Sequence, residues 1–484
     1  MRTTPSIFWD FDLPNATTWF YFSFLLAVAI FFKFSRFFSI RNLDVVTLFL
    51  LVPGLLFLLQ ARQPVPEHQA TTAQVAYLIG PNSQHVMTAP VGNGSLATTK
   101  NNGANHDLST NYRWIGYVWL LIGSGIFLFR CFGDLILEKR PALMPNLNSG
   151  GLVWLALALF ICLAAVAIRP PQPVSFTALA TPQQMSETLA DPVGRTTAPL
   201  QLAQTPFQPS FYLMRTFALL CHLSVVLGLI LIGTHHFQNP ASGLATATCY
   251  LLLPYTGYFV GQAHHVWPMA LMVWAVYCYR RPALSGIFMG LASGTMFFPA
   301  LLLPVWMSFY WKRGIGRFLL SVSIAAGFCL GVTAFILWLN HDLTAIVVDT
   351  LSLPDWQPWK IPTREGIWTN VHWAYRIPVF IVYLAMVLIT AFWPQPKNLA
   401  HLLALSTAVL IGIQFWYADQ GGVYVLWYLP FFLLMIFRPN LSDRRPDLVS
   451  SENGPLTRFK RWGGQTISGL MKMKKNTDKV IAHK

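Results

Sequence analysis

The chain reads as an all-α polytopic membrane protein, and three observations carry that prediction. Charged residues are 11% of 484 and apolar residues 54%, with a mean hydropathy of +0.49. Soluble domains carry roughly 25% charge, and a soluble chain of this length could not cover its surface with so few. Disorder fails for the same reason. Apolar runs long enough to cross a bilayer recur from one end to the other. The bases are placed asymmetrically: 11 of the 33 Lys and Arg lie from Arg438 onward, and most of the rest sit in short connections between apolar runs. That is the positive-inside pattern, so the net charge of +15 reports topology and no nucleic-acid partner is expected.

The first run, 17–33, ends at Lys33, Arg36 and Arg41, which anchor that end in the cytoplasm. The residues before it hold one Arg and two Asp without a basic region, unlike a cleaved signal peptide. Runs at 44–60, 114–130, 150–168, 211–233, 243–260 and 266–280 follow. The stretch 284–311 is read as a hairpin of two short helices broken at Pro299. A single helix there would put Lys312, Arg313 and Arg317 outside and invert everything after them, including the basic tail. Runs at 317–338, 377–393, 398–417 and 423–438 complete about thirteen transmembrane or re-entrant helices, with the amino end outside and the carboxyl end cytoplasmic. This arrangement puts 23 bases and 7 acids inside, against 10 bases and 11 acids outside. Residues 1–441 form the membrane domain and 442–484 a basic cytoplasmic tail.

Three outer segments are long, at 61–113, 169–210 and 339–376, and long loops are usually functional or unstructured. The first is rich in Asn, Gly and Thr around 91–105, where mobility is expected. The third carries Trp356, Trp359, Trp368 and Trp373 beside Asp355, Lys360, Arg364, Glu365, His372 and Arg376. The six cysteines fall in or at the ends of helices, without metal or disulfide spacing, so no metal site is expected. Almost no ionisable side chain sits mid-span, which disfavours proton- or sodium-coupled carriers and voltage sensors. No phosphate-binding GxxxxGK[ST] loop is present. Gly286, Gly290 and Gly294 recur at four-residue spacing, which lets another helix backbone approach closely; the expected place is the first arm of the hairpin.

Any chemistry therefore belongs to the outer face. Moving a sugar from a lipid phosphate needs a carboxylate to take the acceptor's proton. It also needs Arg or Lys to stabilise the departing phosphate and aromatic or polar walls to place the sugar. Candidate bases are Glu67 and Asp107 in the first long segment, with Asp355 and Asp419 in later ones; Asp107 is preferred and Glu67 second. Candidate phosphate partners are Arg113, Lys360, Arg364 and Arg376. The plain alternative for each is a loop charge meeting water and headgroups. His264 and His265 follow Gly261-Gln262 at an outer helix junction. Adjacent residues cannot share one helix face, so a donor contact is the functional expectation rather than a metal.

The segment 261–317, GQAHHVWPMALMVWAVYCYRRPALSGIFMGLASGTMFFPALLLPVWMSFYWKRGIGR, resembles the polyprenyl-phosphate-dependent membrane glycosyltransferases of the glycosyltransferase-C type, above all mannosyltransferase-like bacterial members. The shared order is Gly-Gln at an outer loop, an apolar helix, a basic turn, a Gly-rich helix and a proline-broken hairpin ending in bases. The stretch Ala418–Leu434 (ADQGGVYVLWYLPFFLL) is similar to the aromatic, proline-containing last helix of that group. Together they cover roughly 75 of the 484 residues. Where family members commonly carry a Lys before the hairpin proline, this chain has Thr295-Met296-Phe297-Phe298.

The resemblance implies a hexosyltransferase of a bacterial plasma membrane, with a lipid-linked sugar as donor and no further cofactor. Asp107 or Glu67 would be its catalytic acid, and Gln262, His264, His265, Arg364 and Arg376 would bind substrate. Two other classes remain beside it: a non-catalytic scaffold or lipid-binding protein, and a lipid or solute transporter. The tail alternates Arg458, Lys460, Arg461 and Lys472–Lys475 with apolar residues, which fits contact with anionic lipid.

Overall fold

A computed structural model describes residues 16–62, 96–136, 143–168, 209–339, 357–362, 364–441 and 444–446. Among these, every regular element is helical. The α-helices are α1 (Ala16–Phe31), α2 (Ile40–Thr47), α3 (Val52–Arg62), α4 (Leu96–Ile136), α5 (Ser149–Ile168), α6 (Pro209–His235), α7 (Pro240–Leu252) and α8 (Pro254–Tyr258). They continue as α9 (Ala263–Tyr277), α10 (Pro282–Thr295), α11 (Leu303–Phe309), α12 (Ile315–Leu339), α13 (Arg376–Phe392), α14 (Leu399–Trp416) and α15 (Leu429–Phe437). Seven stretches are long and apolar enough to cross a membrane: Ile40–Ala61, Thr110–Ile136, Ser149–Ile168, Tyr212–His235, Ile315–Phe335, Trp373–Phe392 and Leu399–Trp416. This is an α-helical membrane protein.

The expected runs at 243–260, 266–280 and 423–438 have α7, α9 and α15 as their longest helices, of 13, 15 and 9 residues. At about 1.5 Å per residue these cover roughly 13–23 Å, short of a bilayer core of about 30 Å. Proline marks several of the starts in these regions. Pro240 and Pro254 start α7 and α8, and Pro430 falls in the first turn of α15, where its missing N–H and fixed φ are tolerated.

These short helices are the core. The long α14 is 89% buried, whereas only 17% of Ile315–Phe335 and 22% of Ser149–Ile168 are covered by protein. Around α14 stand α4, α13, α15 and the 3-10 turn Phe298–Leu302, while α7 lies among α5, α6 and α15. The poorly covered helices present Leu320, Ile324, Phe328, Trp154 and Ile161 outward, as lipid-facing surfaces do.

Two expectations change in detail. The hairpin is present, but its break falls at Met296–Phe297, and Pro299 sits inside the 3-10 turn that follows. The glycine face of α10 meets α12 rather than the second arm. A Cβ on Gly286 would lie 2.5 Å from the Phe318 carbonyl oxygen, and one on Gly290 would lie 2.5 Å from that of Val322. Ser321, Ala325 and Cys329 supply matching small residues on α12, so the backbones touch. The second difference concerns α4, which has 41 residues and no proline and extends back to Leu96. The last part of the 61–113 segment is thus helical, and Asp107 lies on a helix.

Arg113 and Arg130, 17 residues apart in the sequence, lie about 25 Å apart along α4 and mark the two ends of the bundle. At the Arg130 end, Arg130 clasps Asp44 of α2 through Nε and Nη2, the latter at 2.9 Å, and reaches Asp134 at 3.3 Å. Arg438, just past α15, holds Asp134 at 2.9 and 2.6 Å. All four side chains are nearly enclosed. Asn42 braces the adjoining turn, accepting from the Lys33 N–H and donating to the carbonyls of Lys33, Arg36 and Phe37.

Candidate functional site

The opposite end is built on the turn that follows α14. Tyr417 leaves the helix in an extended conformation, and the chain reverses through Gln420 (φ 52°) and Gly422 (φ 97°), where glycine removes the steric cost. Gln414, in the last turn of α14, secures this reversal: its Oε1 accepts from the N–H groups of Gly422 at 3.0 Å and Tyr424 at 3.3 Å. The same turn carries Asp419, 5% exposed.

Asp419 holds the 357–376 loop. Its Oδ1 accepts from the Arg364 backbone N–H at 3.0 Å, and its Oδ2 lies 3.5 Å from Lys360 Nζ. A Cβ at Gly366 would stand 3.0 Å from the Gln420 nitrogen, so the bare glycine lets the two turns meet. Trp368 Nε1 donates to the Phe415 carbonyl at 3.0 Å. From α4, Arg113 pairs with Glu365, and Tyr117 Oη donates to the Glu365 carbonyl at 2.8 Å.

Arg376 is 1% exposed. Its Nε donates to the Pro358 carbonyl at 2.7 Å, and its Nη2 reaches the carbonyls of Pro358 and Lys360. Those bonds commit the guanidinium to the underside of the loop, where it shapes the backbone that carries Lys360 and Arg364. The structure thus places Arg376 behind the site rather than at its surface.

The first turn of α9 contributes the histidine pair. His265 is 4% exposed and stacked between Phe259 (4.3 Å) and Tyr424 (5.2 Å). His264, on a different helix face, is exposed and feels the Arg364 guanidinium. Partial loss of solvent around the ring at the start of α9, and then that positive charge, lower the proton affinity of His264 below its ordinary value. Gln262 is the half-buried N-cap residue of α9 and makes no side-chain capping bond. A Cβ on Gly261 would fall 1.2 Å from Arg215 Nη1; only glycine lets the Arg215 guanidinium of α6 lie on this backbone.

An aromatic wall continues from His265. Tyr424 stacks on Trp427 at 4.2 Å, Trp427 on Phe298 at 4.1 Å, and Phe297 on Tyr417 at 5.5 Å. Three buried polar atoms along it, His265 Nδ1, Trp427 Nε1 and Gln414 Nε2, have no hydrogen-bond partner among the described residues. Buried polar groups are nearly always satisfied, so hydroxyl or phosphate oxygens of a ligand could complete these three; His222 Nε2 and His236 Nδ1, away from the wall, are in the same condition.

Of the residues expected to bind substrate, Arg364, His264 and His265 converge, with Gln262 beside them in the chain. Asp107 lies six residues before Arg113, about 9 Å further along α4 on the loop side; its side chain lies outside the described residues, as does all of Glu67. Among the described residues, no group of three His, Cys, Asp or Glu is placed to hold a metal ion. The sequence reading overlooked the aromatic wall and Asp419's part in holding the loop, although Asp419 is the only acid between Glu365 and Asp443. It also overlooked His222, in the middle of α6 and fully buried, whose Nδ1 lies 2.8 Å from Tyr250 Oη. The chain matches no known protein-family model, no curated protein and no solved structure.

Proposed function

We propose that this protein is a membrane hexosyltransferase that moves a sugar, mannose first among the candidates, from a polyprenyl phosphate to an acceptor on the extracytoplasmic side. The observation that carries the reading is the convergence, at one end of the bundle, of Arg364 and Lys360 with the histidine pair and a stacked aromatic wall. Two bases beside an aromatic surface suit a phosphate-headed lipid carrying a sugar. Asp419 positions both bases. Asp107 is the preferred group to take the acceptor's proton, with Glu67 second. The lipid-linked sugar is the only cosubstrate required.

The topology that accompanies this reading has about thirteen spanning or re-entrant helices in a glycosyltransferase-C-like arrangement, with the 357–376 end outside and the basic 442–484 tail on anionic lipid inside. A bacterial plasma membrane is the expected host. The test is transfer of labelled hexose from polyprenyl phosphate in membranes containing the protein. Loss of transfer in Asp107→Ala or Glu67→Ala supports the assignment, and full transfer in both variants overturns it.

A second reading, a non-catalytic scaffold or lipid-binding protein, draws on a different observation: Asp419 and Arg376 are both engaged within the loop. It predicts no transfer from any lipid-linked donor.

A further inference from the structure

We propose that the opposite end of the bundle carries a second, independent site: a serine–lysine hydrolytic centre for lipid acyl esters, with Ser308 as nucleophile, Lys397 as general base and Gln395 as oxyanion donor. Ser308 lies on α11 and is half-buried, while Gln395 and Lys397 lie in the short connection between α13 and α14. Lys397 is buried, and its Nζ is 3.0 Å from Ser308 Oγ, 2.9 Å from the Ala391 carbonyl oxygen and 3.1 Å from that of Pro394. Two carbonyls can take the two N–H bonds of a neutral amine, which leaves its lone pair for the Ser308 hydroxyl. That is a nucleophile, a base in hydrogen-bond contact with it, and backbone groups orienting the base. Gln395 Nε2 also lies against Ser308 Oγ from the exposed side, where a carboxamide can donate to an oxyanion.

The surroundings favour a neutral base. No carboxylate lies within ion-pair distance of Lys397 among the described residues, and burial lowers its pKa to about 8. The titratable neighbour is His401, one turn into α14. The charged groups around it are Arg438, Lys397, Arg445 and Asp134. Trp311, Phe392 and Trp393 are exposed close by in the chain, the residue types that sit at a membrane surface, so an acyl ester presented by lipid is the substrate class that fits.

The step balances with water as co-reactant. Ser308 Oγ adds to the acyl carbonyl carbon while its proton passes to Lys397 Nζ; the C–O bond to the alcohol then breaks, and Lys397 returns the proton to the departing oxygen. Water, deprotonated by Lys397, cleaves the Ser308 ester, releasing the carboxylic acid and restoring the hydroxyl.

The test uses the purified full chain in detergent with a fluorophosphonate probe, the modified residue being located by mass spectrometry. The expected result is labelling at Ser308 that rises with pH through about 8, absent from Ser308→Ala. In Gln395→Ala, labelling is expected to fall by about 10²-fold. Lys397→Arg keeps N–H donors for the two carbonyls but cannot deprotonate, and should lower labelling by at least about 10²-fold while holding the melting temperature. Wild-type protein that is not labelled, or labelling unchanged in Ser308→Ala, overturns the proposal; unchanged labelling in Lys397→Arg overturns the role of Lys397. Should Lys397→Arg fail to fold, labelling of wild type and Ser308→Ala still decides. None of these readouts involves sugar transfer.

Discussion

The two ends of α4 carry charge in opposite ways. At one end Asp44, Arg130, Asp134 and Arg438 close on one another, each acid facing a guanidinium at hydrogen-bond distance, nearly sealed from solvent. At the other, Asp419 holds a loop rather than a helix, accepting from the Arg364 backbone N–H and lying 3.5 Å from Lys360 Nζ. Arg364 and His264 stay near the surface there, and three buried polar atoms of the adjoining wall have no partner among the described residues. Charge that is fully answered within the protein fixes how helices meet. Buried polar atoms that lack a partner among the described residues, beside stacked rings, are what a polar ligand can complete. The same handful of ionisable residues thus separates into a structural joint and a candidate binding surface.

The largest expected effect is at the joint. Asp134→Ala leaves Arg438 buried without its carboxylate and should destabilise the protein by about 3–5 kcal/mol, read as a fall in melting temperature in detergent. The paired change Asp134→Leu with Arg438→Leu should cost less than either single change, because no lone charge is left behind. A joint that tolerates Asp134→Ala with no shift would erase the contrast between the two ends.

Next comes Asp419→Ala, which removes the carboxylate that holds Lys360 and the Arg364 backbone. Transfer should fall by about 10²-fold, with a stability loss of only about 1–3 kcal/mol. An equal loss of stability at both ends would mean that the 357–376 end is another structural joint. Trp427→Phe keeps the stacked ring and removes Nε1, a donor without a partner among the described residues. A single ligand hydrogen bond is worth about 0.5–1.5 kcal/mol, so donor affinity should weaken by roughly 2- to 12-fold while the melting temperature holds. The smallest effect is expected from Glu365→Ala, which breaks a solvent-exposed pair with Arg113; such pairs contribute about 0–1 kcal/mol.

Much of this architecture was legible in the chain. Apolar length located the helices, and Pro299 with the flanking bases pointed to a broken hairpin, because charge and proline act locally. What the sequence concealed was contact between distant segments. Gly286, Gly290 and Gly294 announced a close helix partner but could not say that it was α12 rather than the neighbouring arm. Asp44 and Arg130 are 86 residues apart, and Asp134 and Arg438 are 304 apart; a loop charge and a buried joint look identical before folding joins them. The site was half visible for the same reason. Arg364 and the histidine pair stood out as charged or paired residues among apolar runs, and Arg376 stood out equally until its bonds to Pro358 and Lys360 placed it beneath the loop. The aromatic wall draws on 259, 297–298 and 417–427, and no local pattern joins those three segments.

The claim that the 357–376 end receives a phosphate-headed lipid is tested most directly by measuring binding of polyprenyl phosphate to the purified protein by native mass spectrometry. Wild type should retain the lipid. Arg364→Ala combined with Lys360→Ala should lose it by at least about tenfold, and Glu365→Ala should bind as wild type does. Equal retention of the lipid by wild type and the double variant would contradict the account.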